Sequence, residues 1–243
     1  MRAIVTRPEP DGPDFAEKLN ARGVTTILSP VMDIVPVRRE LDFTGVGALA
    51  FTSANGVRAV AAVRPPPGLP VFAVGAATEE AARANGHCNI KTAKGDVDSL
   101  ADVIVAAHLR RVFKGAVLHA AGAARAGDLV RALQDRGVLA RREVLYEARP
   151  RESLSREAEA ALAADPPAEW AVLFSPRSAR LFLDQVRTAG LEDRLQGVGA
   201  ACLSAAVAEA ARAARWREVR AARVRDSEGM IDLLAAENDA ARS

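Results

Sequence analysis

The sequence predicts an α/β fold in which the strands of parallel sheets alternate with helices. Short apolar runs are each followed by an alanine-rich amphipathic stretch, and this order is typical of parallel sheets. The apolar runs lack regular polar alternation, as expected for strands that helices cover on both faces. The predicted strand and helix pairs are Ala3–Val5 with Phe15–Arg22, Ala48–Phe51 with Val57–Val63, Val71–Val74 with Thr78–Ala84, and Val172–Phe174 with Ala179–Val186.

The sequence also contains an internal repeat, which predicts two similar halves. Leu19–Val24 resembles Leu133–Val138 at an offset of 114 residues, which Pro36 and Pro150 share. Further matches at offsets of 123 and 124 residues pair Phe51–Ser53 with Phe174–Pro176 and Val74–Ala77 with Val198–Ala201. Two α/β halves predict two lobes with a cleft between them, and ligands of such sheets bind outside the carboxyl ends of the strands. The sequence leaves open whether the halves exchange segments.

Composition argues against several classes of function. The 33 basic and 31 acidic residues give a net charge of +2, and aromatic residues make up 4%, which disfavours nucleic-acid binding. The two cysteines, Cys88 and Cys202, lie far apart without metal-site spacing, so we expect a reducing cytoplasm and no metal. No apolar run is long enough to span a membrane, and the first apolar stretch is too short for a signal peptide.

Polar loops that open predicted helices are the candidate binding elements. Unpaired backbone N–H groups and the positive end of a helix favour anions, although the same residues also serve as plain helix caps. No Walker loop, dinucleotide fingerprint or G-x-S-x-G elbow is present. A cofactor-free site that binds several carboxylates through main-chain donors therefore remains. The loops contain Thr52, Ser53, Asn55 and Gly56; Gly75 and Thr78; Ser175, Arg177 and Ser178; and Gly199.

The order of these loops resembles the uroporphyrinogen-III synthase family over nearly the whole chain. The motifs that carry the resemblance are Thr6–Pro8, Phe51–Val57, Val74–Thr78, Val97–Leu100, Leu145–Ala148 and Phe174–Ala179.

The resemblance implies two flavodoxin-like lobes joined by a hinge of two extended segments. Lobe one would contain residues 1–36 and 150–243, and lobe two residues 37–149. It also implies a cytoplasmic, monomeric, cofactor-independent lyase of heme biosynthesis. Its partner would be hydroxymethylbilane, with no nucleic acid or membrane, and transient contact with the preceding pathway enzyme stays open.

In the implied reaction, hydroxymethylbilane loses its terminal hydroxyl as water, and the resulting cation attacks the substituted carbon of the last pyrrole. A spiro intermediate then fragments and recloses with that ring inverted. The resemblance assigns Tyr146 as an acid that assists water loss, and a lid residue is the alternative. It adds Arg7, Ser99, Gly122 and Arg125 to the substrate-binding residues named above.

Two departures from the family pattern concern single contacts. Cys202 stands where the first half has Thr78, and Ala120–Arg125 lacks the Arg-Gly pair of many members, so that Arg125 would supply the charge. Two other functions stay open: a non-catalytic relative that binds a tetrapyrrole or another anion, and a two-lobed ligand-sensing module. The absence of a DNA-binding motif or heptad repeat disfavours the second.

Overall fold

The computed structural model describes residues 1–37, 40–124 and 127–240. The strands of the described chain are β1 Arg2–Val5, β2 Thr25–Leu28, β3 Met32–Pro36, β4 Val46–Phe51, β5 Val71–Ala73, β6 Ile90–Thr92, β7 Ala116–Gly122, β8 Ala140–Pro150, β9 Trp170–Leu173, β10 Gly199–Cys202 and β11 Glu218–Ala221. The helices are α1 Asp11–Ala21, α2 Ala54–Ala62, α3 Ala76–Ala84, α4 Val97–Leu109, α5 Leu129–Gln134, α6 Arg156–Ala163, α7 Pro176–Thr188, α8 Ala205–Ala211 and α9 Ser227–Ala240, with a 3₁₀ helix at Glu192–Gly197.

The chain divides into two compact units, each built on its own sheet. Unit 1 contains Met1–Asp33 and Arg149–Ser243, and unit 2 contains Ile34–Ala148. The sheet of unit 1 has the order β2-β1-β9-β10-β11, and all of its strand pairs are parallel. In chain order this is 2-1-3-4-5, the order of flavodoxin-like sheets. The predicted α/β fold with parallel sheets is therefore confirmed.

The sheet of unit 2 has the order β6-β5-β4-β7-β8-β3, with parallel pairing from β6 through β8. The edge strand β3 runs antiparallel to β8. The Val37 amide donates to the Leu145 carbonyl at 2.9 Å, and the Arg151 amide donates to the Val31 carbonyl at 3.0 Å, so the partners run in opposite directions. These two strands carry the chain across both unit boundaries. The lobe boundaries expected from the resemblance, after residues 36 and 149, stay a prediction.

The structure answers the question of exchange between the repeats. Gly23 and Gly137 both end a helix with φ +77°, and the residues after them, Val24 and Val138, donate to Leu19 and Leu133 respectively. The matched segments therefore form the same helix end, so β1 and β2 of the first repeat correspond to β7 and β8 of the second. The serine caps of α2 and α7 likewise match β4 with β9. The sheet of unit 1 thus combines β1 and β2 of the first repeat with β9, β10 and β11 of the second, and the six-stranded sheet of unit 2 combines β7 and β8 of the second repeat with β3, β4, β5 and β6 of the first.

Both faces of the sheet of unit 2 are covered, as the continuous apolar strands predicted. Along β4, Ala48 and Ala50 face the core that α4 and α5 cover, while Leu49 and Phe51 face the core under α2 and α3. All four side chains are fully buried. Because side chains alternate along β7 as well, His119 lies on the same face as Val117, toward α4 and α5. In the described ranges, no helix combines the length and apolar character needed to cross a membrane.

Candidate functional site

The carboxyl edge of the sheet of unit 2 holds a cavity of about 320 Å³. It lies beside the ends of β4 and β7, where the strand order reverses direction. Strands β5 and β6 follow β4 to one side, and β8 follows β7 to the other, so this is the switch point at which open α/β sheets bind ligands. The cavity is lined by Thr52, Ser53, Val74, Gly95, Asp96, Val97, His119, Ala121, Gly122, Ala124, Gly127, Arg142 and Tyr146.

Ser53 connects the start of α2 to the cavity. It is the N-cap of that helix, and its Oγ accepts a hydrogen bond from the Gly56 amide at 3.1 Å. The same Oγ lies 2.8 Å from the hydroxyl of Tyr146, which reaches it from β8. Gly56 allows this arrangement because a Cβ there would lie 2.6 Å from the Ala120 carbonyl oxygen. Ser53 therefore caps α2 and also forms a hydrogen bond with the Tyr146 hydroxyl.

Gly122 makes room for the Tyr146 ring. The pairing of β7 with β8 shifts register between Ala121 and Gly122, which brings Gly122 opposite Tyr146. A Cβ on Gly122 would lie 2.7 Å from two carbon atoms of the ring and 3.0 Å from its hydroxyl. Gly122 was predicted to bind substrate, and its position next to the ring gives it a steric reason to be glycine.

Thr52 and His119 form a second polar pair in the cavity. The Oγ1 of Thr52 lies 3.1 Å from Nε2 of His119, a side chain that is 7% exposed. The other ring nitrogen, Nδ1, is buried without a hydrogen-bond partner among the described residues. Burial, followed by the charge of Arg142, lowers the pKa of His119 from 6.5 to about 4, and Asp128 offsets part of this effect. The imidazole is therefore neutral at neutral pH.

Arg142 is the cationic side chain among the described lining residues. It lies opposite His119 in the β7–β8 register and donates to the carbonyls of Gly122 and Ala123. Asp96 brings a carboxylate to the cavity as the N-cap of α4. Because Asp96 accepts the Ser99 amide at 2.7 Å, the start of α4 already carries a negative group. The described lining thus presents one guanidinium, one carboxylate, one imidazole and three hydroxyl groups.

Four other predicted residues lie outside the cavity lining: Asn55, Gly75, Thr78 and Ser99. Gly75 is the N-cap of α3, without a side-chain cap, and a Cβ on it would lie 3.5 Å from Cα of Gly95 in the cavity wall. Thr78 is buried and lies outside the cavity lining. The Ser99 hydroxyl is used locally, since it bonds to the Lys94 amide and the Asp96 carbonyl. Asn55 faces its own helix, where its Oδ1 accepts from Arg58.

The corresponding edge of unit 1 holds the other predicted group of residues. Arg7 follows β1, and its guanidinium lies 4.9 Å above the Phe174 ring and donates to Ser227. Ser175 and Ser178 form a reciprocal capping box at the start of α7. Both hydroxyls are therefore used to cap the helix, which is the alternative to anion binding that the sequence left open. Arg177 lies in the first turn of α7, half-buried.

The predicted position of Gly199 in a strand-to-helix loop is wrong. Gly199 begins β10, and the loop that opens α8 has Ser204 as its N-cap instead. A Cβ on Gly199 would lie 2.6 Å from the Trp170 ring, so packing explains the glycine. The offset of 124 was a chance match between alanine-rich segments. Cys202 is likewise a buried strand residue rather than the counterpart of Thr78, and burial raises its pKa to about 12. The predicted Arg125 lies outside the described residues.

The sequence model of the uroporphyrinogen-III synthase HemD family matches residues 13–232. This range includes every described residue of the cavity and most of both units. The chain belongs to the uroporphyrinogen-III synthase family. The resemblance noted from the sequence motifs is thereby confirmed.

Two solved structures of uroporphyrinogen-III synthases share the fold. Uroporphyrinogen-III synthetase from Helicobacter pylori has a TM-score of 0.62 and 18% identity over 97% of this chain and 99% of its own. A mutant synthase from the extremely thermophilic bacterium Thermus thermophilus has a TM-score of 0.56 and 16% identity over 100% of this chain and 99% of its own. No curated protein matches the sequence.

Within this member of the uroporphyrinogen-III synthase family, the structure brings four predicted residues into the cavity: Thr52, Ser53, Gly122 and Tyr146. Motif reasoning missed three polar lining residues: Asp96, His119 and Arg142. Asp96 had a usable signal, since an aspartate three residues before Ser99 at a helix start is a typical N-cap. His119 stands inside an apolar strand, and only the fold shows that it faces a cavity.

Proposed function

We propose that this chain is a cofactor-independent lyase that converts hydroxymethylbilane to uroporphyrinogen III in heme biosynthesis. Membership of the family supports the reaction, and the hydrogen-bonded pair of Ser53 and Tyr146 in the cavity of unit 2 is the observation that carries the mechanism. We also expect a cytoplasmic monomer, as predicted from the cysteine usage and the resemblance.

Tyr146 is the proposed acid for loss of the terminal hydroxyl. Its oxygen lies 2.8 Å from Ser53, whose Oγ already accepts the Gly56 amide. When Ser53 donates its own proton to the tyrosine oxygen, the phenolic proton stays available to the substrate. Transfer of this proton to the departing hydroxyl releases water and leaves the carbocation that attacks the last pyrrole. General acid assistance of this kind contributes on the order of a hundred- to ten-thousandfold in rate.

The carboxylates of the substrate need donors that stay in place as the ring closes. In unit 2 we propose Arg142, the Thr52 hydroxyl and the start of α3 at Gly75, because that helix has no side-chain cap.

An isomer-resolved assay tests the proposal. The purified chain, incubated with hydroxymethylbilane and no added cofactor, should yield uroporphyrinogen III, seen as the type III porphyrin by chromatography after oxidation. Spontaneous closure in the absence of protein, which keeps the last ring uninverted, is the control. Formation of the type I isomer alone at the control rate would overturn the enzyme proposal, and tight binding without turnover would indicate the non-catalytic relative instead.

The proposed role of Tyr146 has its own test. Tyr146→Phe retains the ring and removes the hydroxyl, so kcat should fall more than KM changes. Unchanged kinetics would remove the acid role and leave Tyr146 as a residue that covers the cavity.

A further inference from the structure

We propose that His119 is a positioning residue that holds the Thr52 hydroxyl as a hydrogen-bond donor toward the ligand in the cavity of unit 2. Thr52 would then recognise a hydrogen-bond acceptor, which for the proposed substrate is a carboxylate or hydroxymethyl oxygen. The inference rests on the proposed function for the identity of that ligand, whereas the state of the histidine follows from the protein alone.

The hydrogen bonds of the two ring nitrogens determine the tautomer of His119. Nδ1 of His119 is buried without a partner in the described ranges of the chain, while Nε2 lies 3.1 Å from Thr52 Oγ1. A neutral imidazole carries one proton, and its position is set by the hydrogen bonds that the two nitrogens make. A buried N–H without an acceptor is rarer than an unused lone pair. We therefore assign the proton to Nε2, which leaves Nδ1 with a lone pair.

The tautomer of His119 determines whether Thr52 accepts or donates in the hydrogen bond between them. With the proton on Nε2, His119 donates to Thr52 Oγ1, and the hydroxyl proton of Thr52 is not used in this bond. Within the part of the chain that the structure describes, Thr52 has no other hydrogen-bond partner for its side chain. The side chain is half-buried and lines the cavity. Its proton is thus available to a ligand there.

The surroundings of the ring keep it in this state. Arg142 lies opposite His119 on β8, and a second positive charge beside it would be unfavourable. Asp128, the N-cap of α5, acts in the opposite direction but less strongly. Protonation would also place an N–H at the buried Nδ1, where none of the described residues supplies an acceptor. Thr52 and His119 therefore form an uncharged hydrogen-bonded pair next to the guanidinium of Arg142.

Ring ¹⁵N NMR on the wild-type protein tests the tautomer without substrate. Two-bond correlations should show a protonated Nε2 and an unprotonated Nδ1 for His119, with the signal assigned by its loss in His119→Gln. A ring protonated on Nδ1 would overturn the inference.

Kinetics test the consequence for binding. His119→Leu should raise KM for hydroxymethylbilane roughly three- to tenfold with a smaller change in kcat, as for the loss of one oriented hydrogen bond. His119→Gln, whose amide N–H reaches near the Nε2 position, should restore much of the affinity. His108→Leu is the matched control, since His108 also has a buried Nδ1 without a partner in the described structure but lies outside the cavity lining.

A double-mutant cycle separates positioning from general packing. In a Thr52→Val background, His119→Leu should add little to KM, because the hydroxyl that it orients is already gone. An equal loss in both backgrounds, or an unchanged KM in a folded His119→Leu variant, would overturn the inference. If the wild-type protein does not form the type III isomer, the proposed function fails, and the NMR measurement still decides the state of His119.

Discussion

Replacing Gly122 by alanine should displace the ring of Tyr146 and lower turnover. The new Cβ would lie 2.7 Å from two ring carbons, whereas ordinary contacts begin near 3.4 Å, so the ring must retreat by about 0.7 Å. Gly122 does not have a positive φ, so alanine fits its backbone. Because a displacement of 1 Å can cost on the order of a hundredfold in rate, we expect kcat to fall by roughly 10- to 100-fold.

The assay is steady-state turnover of hydroxymethylbilane by Gly122→Ala, Tyr146→Phe and the double variant. If Gly122 acts through the tyrosine hydroxyl, Gly122→Ala should cause little further loss once the hydroxyl is absent. Gly199→Ala is the matched control, since its Cβ would press equally on the Trp170 ring, and it should lower stability while leaving kcat unchanged. Wild-type kcat in folded Gly122→Ala, or an equal loss in the Tyr146→Phe background, would refute the reasoning.

Three further predictions concern stability and substrate binding. The pKa of His119 in the folded protein is lowered from 6.5 to about 4. Its contribution to the free energy of unfolding is therefore fully present above pH 6.5 and is lost as the pH falls toward 4, by at most about 3 kcal/mol. Urea unfolding at both ends of this pH range should show a smaller change in the free energy of unfolding for His119→Gln than for the wild type. An equal change in both proteins would contradict the prediction. Ser175→Ala should lower the free energy of unfolding by about 0.5–2 kcal/mol through the lost cap, with kcat within about twofold; a total loss of activity in a folded protein would make Ser175 catalytic. Arg142→Gln should raise KM and weaken its dependence on ionic strength, measured in a salt series, whereas an unchanged salt dependence would exclude Arg142 as a carboxylate contact.

The sequence by itself determined the fold class and the local chemistry of the loops. Continuous apolar strands followed by amphipathic helices indicate parallel sheets because both faces of such strands must be covered. Ser53 and Ser175 could be predicted as helix caps, since a serine before a helix satisfies backbone donors within three residues of itself. The match of Leu19–Val24 with Leu133–Val138 is equally local, because both segments form the same glycine-ended helix terminus.

Only the tertiary structure decided which repeat segments share a sheet and which side chains share a cavity. Ser53 meets Tyr146 across 93 residues, and Thr52 meets His119 across 67, and neither spacing carries a periodic signal. For Gly199 the sequence match predicted a loop that the structure does not have, and packing against the Trp170 ring explains the glycine instead. Local capping depends on neighbours along the chain, whereas strand order depends on burying apolar faces that distant segments supply. The cavity and the neutral histidine within it therefore arise from the exchange of segments between the repeats.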